Sequence, residues 1–478
     1  MREAGVLQSG QEGSKAMLMT WRRDSRRNGP TVYGSGRPTE MIRDLVNGTD
    51  SLDIVVLGDS NTGSGGKGGN GFCGYHNGFA QALHILGAPV YATPVYPAMN
   101  AGSALSGWRG SAQLYAPTGN LANGNTTGGG TSYSVWTPGT SWVRYGNYAT
   151  PTTDGWAYIA SGTYGQQYNG VELDSTHPLN DATLTLYYRV RYGTFTASGG
   201  SFQPRIRAYD GSPVYATPSA QSTQGAAYDF KAADFQFTVQ NPVEYLHASW
   251  SGGAGSAVGP CAIHSQSIYC RRKGWAVTSH GYMAGADSAT IDTVISGIGS
   301  TLLRTHLQEL RERQIAAGGS GRVLLVTHSG INGTETANAW TTCHKNIWNT
   351  YKSAWSALGY PAGDLAIVSF VGLPKDSTDN SNSGTGGNLV AVRAAANTMA
   401  SDQGDMTVVD VKKLLPFSAL VYGTGWGTSY FQRYSNLPDA GTDITVHLSG
   451  GGSGANVSTS DGYTVASSLI LQALLGSA

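Results

Sequence analysis

A serine stands one step past a buried strand in the stretch Ile54-Val55-Val56-Leu57-Gly58-Asp59-Ser60-Asn61-Thr62. Its four apolar residues include three β-branched side chains and predict a strand buried on both faces, with Gly58 breaking the run. In open α/β sheets the reacting groups gather just beyond the carboxyl ends of the strands, so the Ser60 hydroxyl is placed to act as a nucleophile. A serine that attacks an ester needs three further parts. These are a base near the hydroxyl, an acid that orients the base, and donors for the tetrahedral oxyanion.

The elements that must position such parts follow from periodicity. Residues 1 to about 38 are polar and aperiodic and read as an extended or disordered arm. Met41, Ile42, Leu45 and Val46 have helical spacing, a second helix is predicted around Asn77 to Leu86, and Pro89 to Val95 reads as a strand. From about 111 to 270 helical periodicity gives way to alternating strands between Gly, Ser, Asn and Pro turns. Ala182 to Tyr192 is one, with Leu184, Leu186, Tyr188 and Val190 on one face; Phe202 to Tyr209 and Asp234 to Val239 are others. Trp275 to Ser279 reads as strand-like. Helical spacing then returns from Ile291 to Leu310, a long helix ended by Gly318-Gly319. Strands Val323 to Val326, Leu365 to Val371 and Met406 to Val411 alternate with helices carrying Trp340 to Trp355 and Leu389 to Met399, and Gly462-Tyr463 opens a final apolar helix. This βαβ alternation predicts a parallel sheet in a three-layer α/β domain, interrupted by an inserted β-sandwich.

The Gly58-Asp59-Ser60 turn resembles the nucleophile block of the GDSL, or SGNH, esterases and lipases, and later segments are similar to that family's other blocks. The resemblance implies an α/β/α hydrolase domain of residues 51–110 and 271–478, a sandwich of 111–270 inserted in it, and an N-terminal extension with a short helix over 1–50. It makes Ser60 the nucleophile, with its own N–H as one oxyanion donor. Gly330-Ile331-Asn332 is similar to the family's Gly-x-Asn-Asp block and gives Asn332 the oxyanion amide, although Gly333 replaces the acid. For the glycine donor two segments compete. Met283-Ala284-Gly285-Ala286-Asp287-Ser288 is preferred because it leads into a helix, and Ser106-Gly107 is the alternative. Asp443-Ile444-Thr445-Val446-His447 resembles the Asp-x-x-His block, making His447 the general base and Asp443 its orienting acid. Three residues rather than two separate that pair, and a Gly/Ser loop from Gly450 to Thr459 follows. Asp439 is therefore the substitute acid, and a Ser-His dyad held by a backbone carbonyl is a further arrangement. His280 and His328 are expected as pocket lining or, more simply, as hydrogen-bonded core histidines.

Composition narrows the function. The 478 residues carry 30 basic and 30 acidic side chains, a net charge of zero, which argues against nucleic-acid binding and against a polybasic membrane patch. No apolar run is long enough to span a bilayer. The Gly-rich loop Gly63 to Gly71 lacks a P-loop ending, so no nucleotide is expected. With no short metal-ligand spacing, neither metal nor other cofactor is expected. Cys261 and Cys270 could staple a hairpin; equally, Cys73, Cys261, Cys270 and Cys343 could all be buried thiols. Met1 to Pro30 has Arg22, Arg23, Arg26 and Arg27 but no apolar core, unlike a Sec signal peptide. The 67 glycines and 26 tyrosines suit an extracellular or virion-associated protein.

The expected activity is removal of short acyl groups, above all acetyl, from carbohydrate, with a small ester as a simpler substrate and a lipase less favoured. Trp136, Trp142, Trp156 and Trp250 could stack on sugar rings or fill the sandwich core. The competing function is a catalytically weak or inactive carbohydrate-binding surface or tail protein on the same fold, compatible with a homo-oligomer or virion assembly.

Overall fold

A computed structural model describes residues 31–59, 61–62, 75–95, 108–109, 142–145, 156–159, 169–174, 178–194, 201–208, 214–226, 229–239, 245–252, 261–283, 286–296, 300–330, 335–372, 389–414 and 462–476. In chain order these form β1 (Val32–Gly34), α1 (Arg37–Val46), β2 (Leu52–Asp59), α2 (Tyr75–Ile85), β3 (Ala92–Val95) and β4 (Trp108–Arg109). A run of strands follows: β5 (Trp142–Tyr145), β6 (Trp156–Ile159), β7 (Asn169–Asp174), β8 (Thr185–Gly193), β9 (Ser201–Ala208), β10 (Val214–Ala216), β11 (Gln221–Ser222), β12 (Phe230–Thr238), β13 (Tyr245–Gly252) and β14 (Cys261–Cys270). Helices return with β15 (Trp275–Met283), α3 (Ser288–Ser296), α4 (Ser300–Ala316), β16 (Val323–Ser329), α5 (Ala337–Ala357), β17 (Leu365–Val371), α6 (Leu389–Gln403), β18 (Thr407–Val409), α7 (Val411–Leu414) and α8 (Gly462–Gly476).

One sheet has the order β1-β18-β17-β16-β2-β15-β4. Neighbours from β18 to β15 run parallel, and β1 and β4 close the edges antiparallel. Strand β2 lies inside it and is buried along its whole length, as a continuous apolar run requires of a strand covered on both faces. Its side chains alternate between two cores. Ile54 and Val56 pack with α1, α2 and α8, whereas Val55 and Leu57 pack with α3, α4, α5 and α6. The architecture is therefore mixed α/β with a mostly parallel sheet and helices on both faces. Three local expectations change. Residues 32–34, read as part of a polar arm, pair with 407–409 as an edge strand. The single long helix is two, α3 and α4. The strand expected to reach Val411 stops at Val409, and Val411 opens α7.

The intervening strands build two antiparallel sheets, β10-β9-β13-β7 with β11 on β9, and β12-β8-β14-β6-β5 with β3 on β14. Leu186, Tyr188, Val190 and Tyr192 of β8 share a core with Phe235, Phe237 and Ile268, which Ile206 of β9 joins. The opposite face of β8 carries Arg189 and Arg191, which reach α4. Arg189 contacts Glu309 (2.9 Å), Glu312 (3.1 Å) and Asp234 (2.7 Å), and Arg191 contacts Glu312 at 2.7 Å. The hairpin staple between Cys261 and Cys270 is overturned. Both residues lie on one uninterrupted strand, nine steps or roughly 30 Å apart, far beyond disulfide reach. Cys270 and Cys343 are buried free thiols.

Candidate active site

The site begins where β2 meets β16. A side chain at position 58 would put its Cβ 2.3 Å from the His328 carbonyl oxygen, so the close approach of these strands admits only glycine there. Beyond Gly58 the Asp59 carboxylate turns back on the chain, and its Oδ1 accepts the Asn61 backbone N–H (2.8 Å) and the Asn61 side-chain amide (3.0 Å). The Thr62 N–H donates to the Asp59 carbonyl at 3.0 Å, closing a four-residue turn over 59–62.

Three other elements grip this turn. From α8 the Tyr463 hydroxyl donates to Asn61 Oδ1 at 2.7 Å. From β16 the His328 ring meets the Thr62 hydroxyl, Nε2 to Oγ1, at 2.8 Å. From α2 the Tyr75 N–H donates to the Asn61 carbonyl (2.7 Å) and the His76 N–H to the Thr62 carbonyl (3.2 Å). The Tyr75 ring lies 4.7 Å from His328, 4.9 Å from Phe370 and 5.2 Å from Tyr463. Helix α8 comes this near because Gly78 carries no side chain; a Cβ there would sit 2.5 Å from the Tyr463 carbonyl.

Charge at the site is suppressed. Burial pushes Asp59 up to about 6, with the two Asn61 hydrogen bonds only partly offsetting it. Burial pushes His328 down to about 3. Their closest approach, Nδ1 to Oδ1, is 3.6 Å, longer than a hydrogen bond. His328 is thus a neutral, buried imidazole serving Thr62 and the aromatic cluster. A second carboxyl, Glu335, lies in the connection from β16 to α5 and is pushed up to about 7 by burial, with Asp287 and Asp59 adding to the shift.

Ser60, Gly285, Gly107, Asn332, Asp439, Asp443 and His447 lie outside the described residues, and the side chain of His280 does as well. What is described are the strands that lead into three of the segments. β15, β2 and β16 are adjacent and parallel, with Met283 paired to Asp59 and His328 to Gly58. Trp108 of β4 also pairs with Met283, so both competing glycines are joined by sequence to one strand end. Sequence reasoning gave no role to Asp59, Thr62, Tyr75 or Glu335. The signal it had was a polar residue closing or following an apolar strand, which by itself does not single out a site. Among the described residues no group of His, Cys, Asp and Glu is arranged to hold a metal, and no helix is long and apolar enough to cross a membrane.

No protein-family model and no curated protein matches the chain. Among solved structures, a peptidoglycan O-acetylesterase superposes with a TM-score of 0.47 at 14% identity, over 94% of this chain and 100% of that one. A xylan-binding module matches with a TM-score of 0.21 at 15% identity, over 38% of this chain and 98% of its own. A carbohydrate-binding module of Cellvibrio mixtus lichenase 5A, in complex with cellotriose, gives a TM-score of 0.18 at 11% identity, over 27% and 87%. Overlaps this loose fix no chemistry for the chain.

Proposed function

We propose that the chain is a serine ester hydrolase of the SGNH/GDSL type that removes short acyl groups, acetyl above all, from carbohydrate. The observation that carries this reading is the common end of β15, β2 and β16, three neighbouring parallel strands. Ser60 follows the end of β2 by one residue, Gly285 follows β15 by two and Asn332 follows β16 by three. At about 3.8 Å per residue, these short connections are compatible with a hydroxyl, a backbone N–H and an amide meeting at one ester carbonyl. The turn beside Ser60 is pinned on three sides, which supports a nucleophile held in one geometry.

The reaction then runs by two acyl transfers. His447, oriented by Asp443, takes the Ser60 proton as the oxygen attacks the ester carbonyl. The Ser60 and Gly285 N–H groups and the Asn332 amide receive the oxyanion, and the alcohol leaves with the proton from His447. Water, deprotonated by the same histidine, releases the acid from the acyl-enzyme. The two antiparallel sheets are, in this reading, the inserted sandwich, fastened to α4 through Arg189 and Arg191. Its aromatic content and the Gly- and Tyr-rich composition favour an acylated polysaccharide over a lipid. Ser60→Ala is expected to abolish turnover of a chromogenic acetate ester, and labelling by a fluorophosphonate probe, while circular dichroism is unchanged. Retained turnover rejects the reading. Faster cleavage of octanoyl than acetyl esters would move the substrate to lipids, and absent labelling with glycan binding would mark a binding protein.

A further inference from the structure

The connection from β15 ends at Ser288, the first residue of α3, and the connection from β16 passes through Glu335 before α5. These two points are joined, because the Ser288 N–H donates to Glu335 Oε2 at 3.2 Å. The joint continues inward as a row of side chains. The Ser288 hydroxyl meets Ser329 Oγ at 2.6 Å, Ser329 Oγ meets His344 Nε2 at 2.9 Å, and His344 Nδ1 meets Thr327 Oγ1 at 2.8 Å. Thr327 in turn meets Ser369 on β17 at 2.7 Å. Each member except Glu335 is 0% exposed, and Glu335 is 2% exposed. The neutral imidazole of His344, pushed down to about 3 by burial, has one donor and one acceptor, so donation runs in a single sense along the row. Trp340 stacks on that ring at 3.9 Å and locks its plane.

Stability alone does not account for this arrangement. Six polar side chains occupy a layer otherwise filled by Val55, Leu57, Ile291 and Trp340, where apolar residues of the same volume would pack without desolvation cost. Glu335 Oε1 is buried with no hydrogen-bond partner among the described residues. Asp287 and Asp59 add to the burial that raises its carboxyl pKa. Such groups are kept where a fixed geometry matters more than their cost. Glu335 stands three residues after Asn332, and Ser288 three after Gly285.

We infer that Glu335 is a positioning residue of the ester-cleaving site, tying the connection that carries Gly285 to the connection that carries Asn332 through Ser288. The inference rests on the serine-hydrolase reading above. Two oxyanion donors borne on separate connections hold their spacing only if the connections are braced, and the Glu335–Ser288 bond is that brace. The row through Ser329 and His344 anchors it to the sheet.

The test is steady-state hydrolysis of an acetate ester by the full chain, with Ser60→Ala measured alongside. Glu335→Leu, which removes the acceptor, is expected to lower kcat by up to about 100-fold with KM within about twofold, because a displaced donor is felt in the transition state. Glu335→Gln keeps an oxygen for the Ser288 N–H and should restore kcat to within about threefold of the parent. Should Glu335→Leu not fold, Ser288→Ala, which cuts the link to Ser329, is expected to lower kcat by about tenfold at unchanged KM. If Ser60→Ala is inactive but the Glu335 and Ser288 variants keep the parental kcat, the brace is rejected and the hydrolase stands. Matched changes in kcat, KM and thermal midpoint also reject it, since they mark a purely structural residue. A parent without Ser60-dependent turnover overturns both.

Discussion

Strand β2 carries one aspartate near its start and another at its end, and the two are treated in opposite ways. Asp53 and Asp59 are both fully buried, six residues apart on one strand. At the amino end Asp53 is saturated: Arg313 and Gln314 donate to it from α4, and Tyr91 donates at 2.5 Å. Next to it Glu309 is held by Arg189 and Arg191, which overcome the burial that would raise its pKa and leave it below the usual carboxylate range. At the carboxyl end the basic group that approaches Asp59 among the described residues is the neutral His328, and the Asp59 Oδ2 is without a partner among those residues. Glu335 repeats the pattern. The same residue type is thus neutralised where the layers are joined and left bare where chemistry is proposed. That asymmetry separates architecture from function more sharply than burial does.

The comparison can be broken first at its strongest point. Arg313→Ala leaves Asp53 as a buried charge without its guanidinium and is expected to cost ~3–5 kcal/mol of folding stability, read from urea unfolding. A loss below ~1 kcal/mol would mean that the amino-end pair is not holding the layers. Asp59→Asn tests the other end, with the opposite sign. A carboxyl raised from 3.8 to about 6 stabilises the fold fully below about pH 3.8 and loses that contribution as pH rises through 6. Asparagine does not titrate there. The stability of the variant relative to the parent should therefore rise by ~3 kcal/mol between about pH 4 and pH 7.5. A pH-independent difference between the two unfolding midpoints contradicts an unpaired buried carboxyl. The smallest effect is expected from Lys352→Ala, which removes the half-exposed pair with Asp405 at 2.8 Å. Its cost should stay under ~1 kcal/mol and vanish in high salt, and a larger value would show that exposure does not rank these pairs.

The parallel sheet was readable because β2, β16 and β17 each hold a run of four apolar residues, Ile54–Leu57, Val323–Val326 and Leu365–Val368, as strands covered on both faces do. The face of β8 that carries Leu186, Tyr188 and Val190 was readable by alternation, but the meaning of its other face was not. Arg189 and Arg191 look like solvated residues until α4 brings Glu309 and Glu312 against them. Strand β14 misled for a related reason. Its Cys261 and Cys270 read as able to staple a hairpin, yet Ser265, Gln266 and Ser267 between them are buried in one strand paired with β8 and β3, whose ladders satisfy the backbone. Strand β3 was recognised as apolar, but its partner β14 lies some 170 positions away and leaves no local trace. At the site, Ser60 was legible as a hydroxyl after a strand. Glu335, Ser288, Ser329 and His344 were not, since each is an ordinary polar residue until the fold places them in one row.

The bond between Tyr463 and Asn61 joins residues 402 positions apart. Helix α8 also packs along α2, which follows the same turn. During synthesis the turn therefore emerges long before the helix that grips it, and the intervening antiparallel sheets must form between the two events. Loop closure over such a span is slow, and it gains nothing until the far helix docks. On the serine-hydrolase reading, a ribosome-bound fragment holding β2 and α2 would lack the helix that grips Asn61, so reactivity toward esters should switch on with completion of the fold rather than accumulate along it.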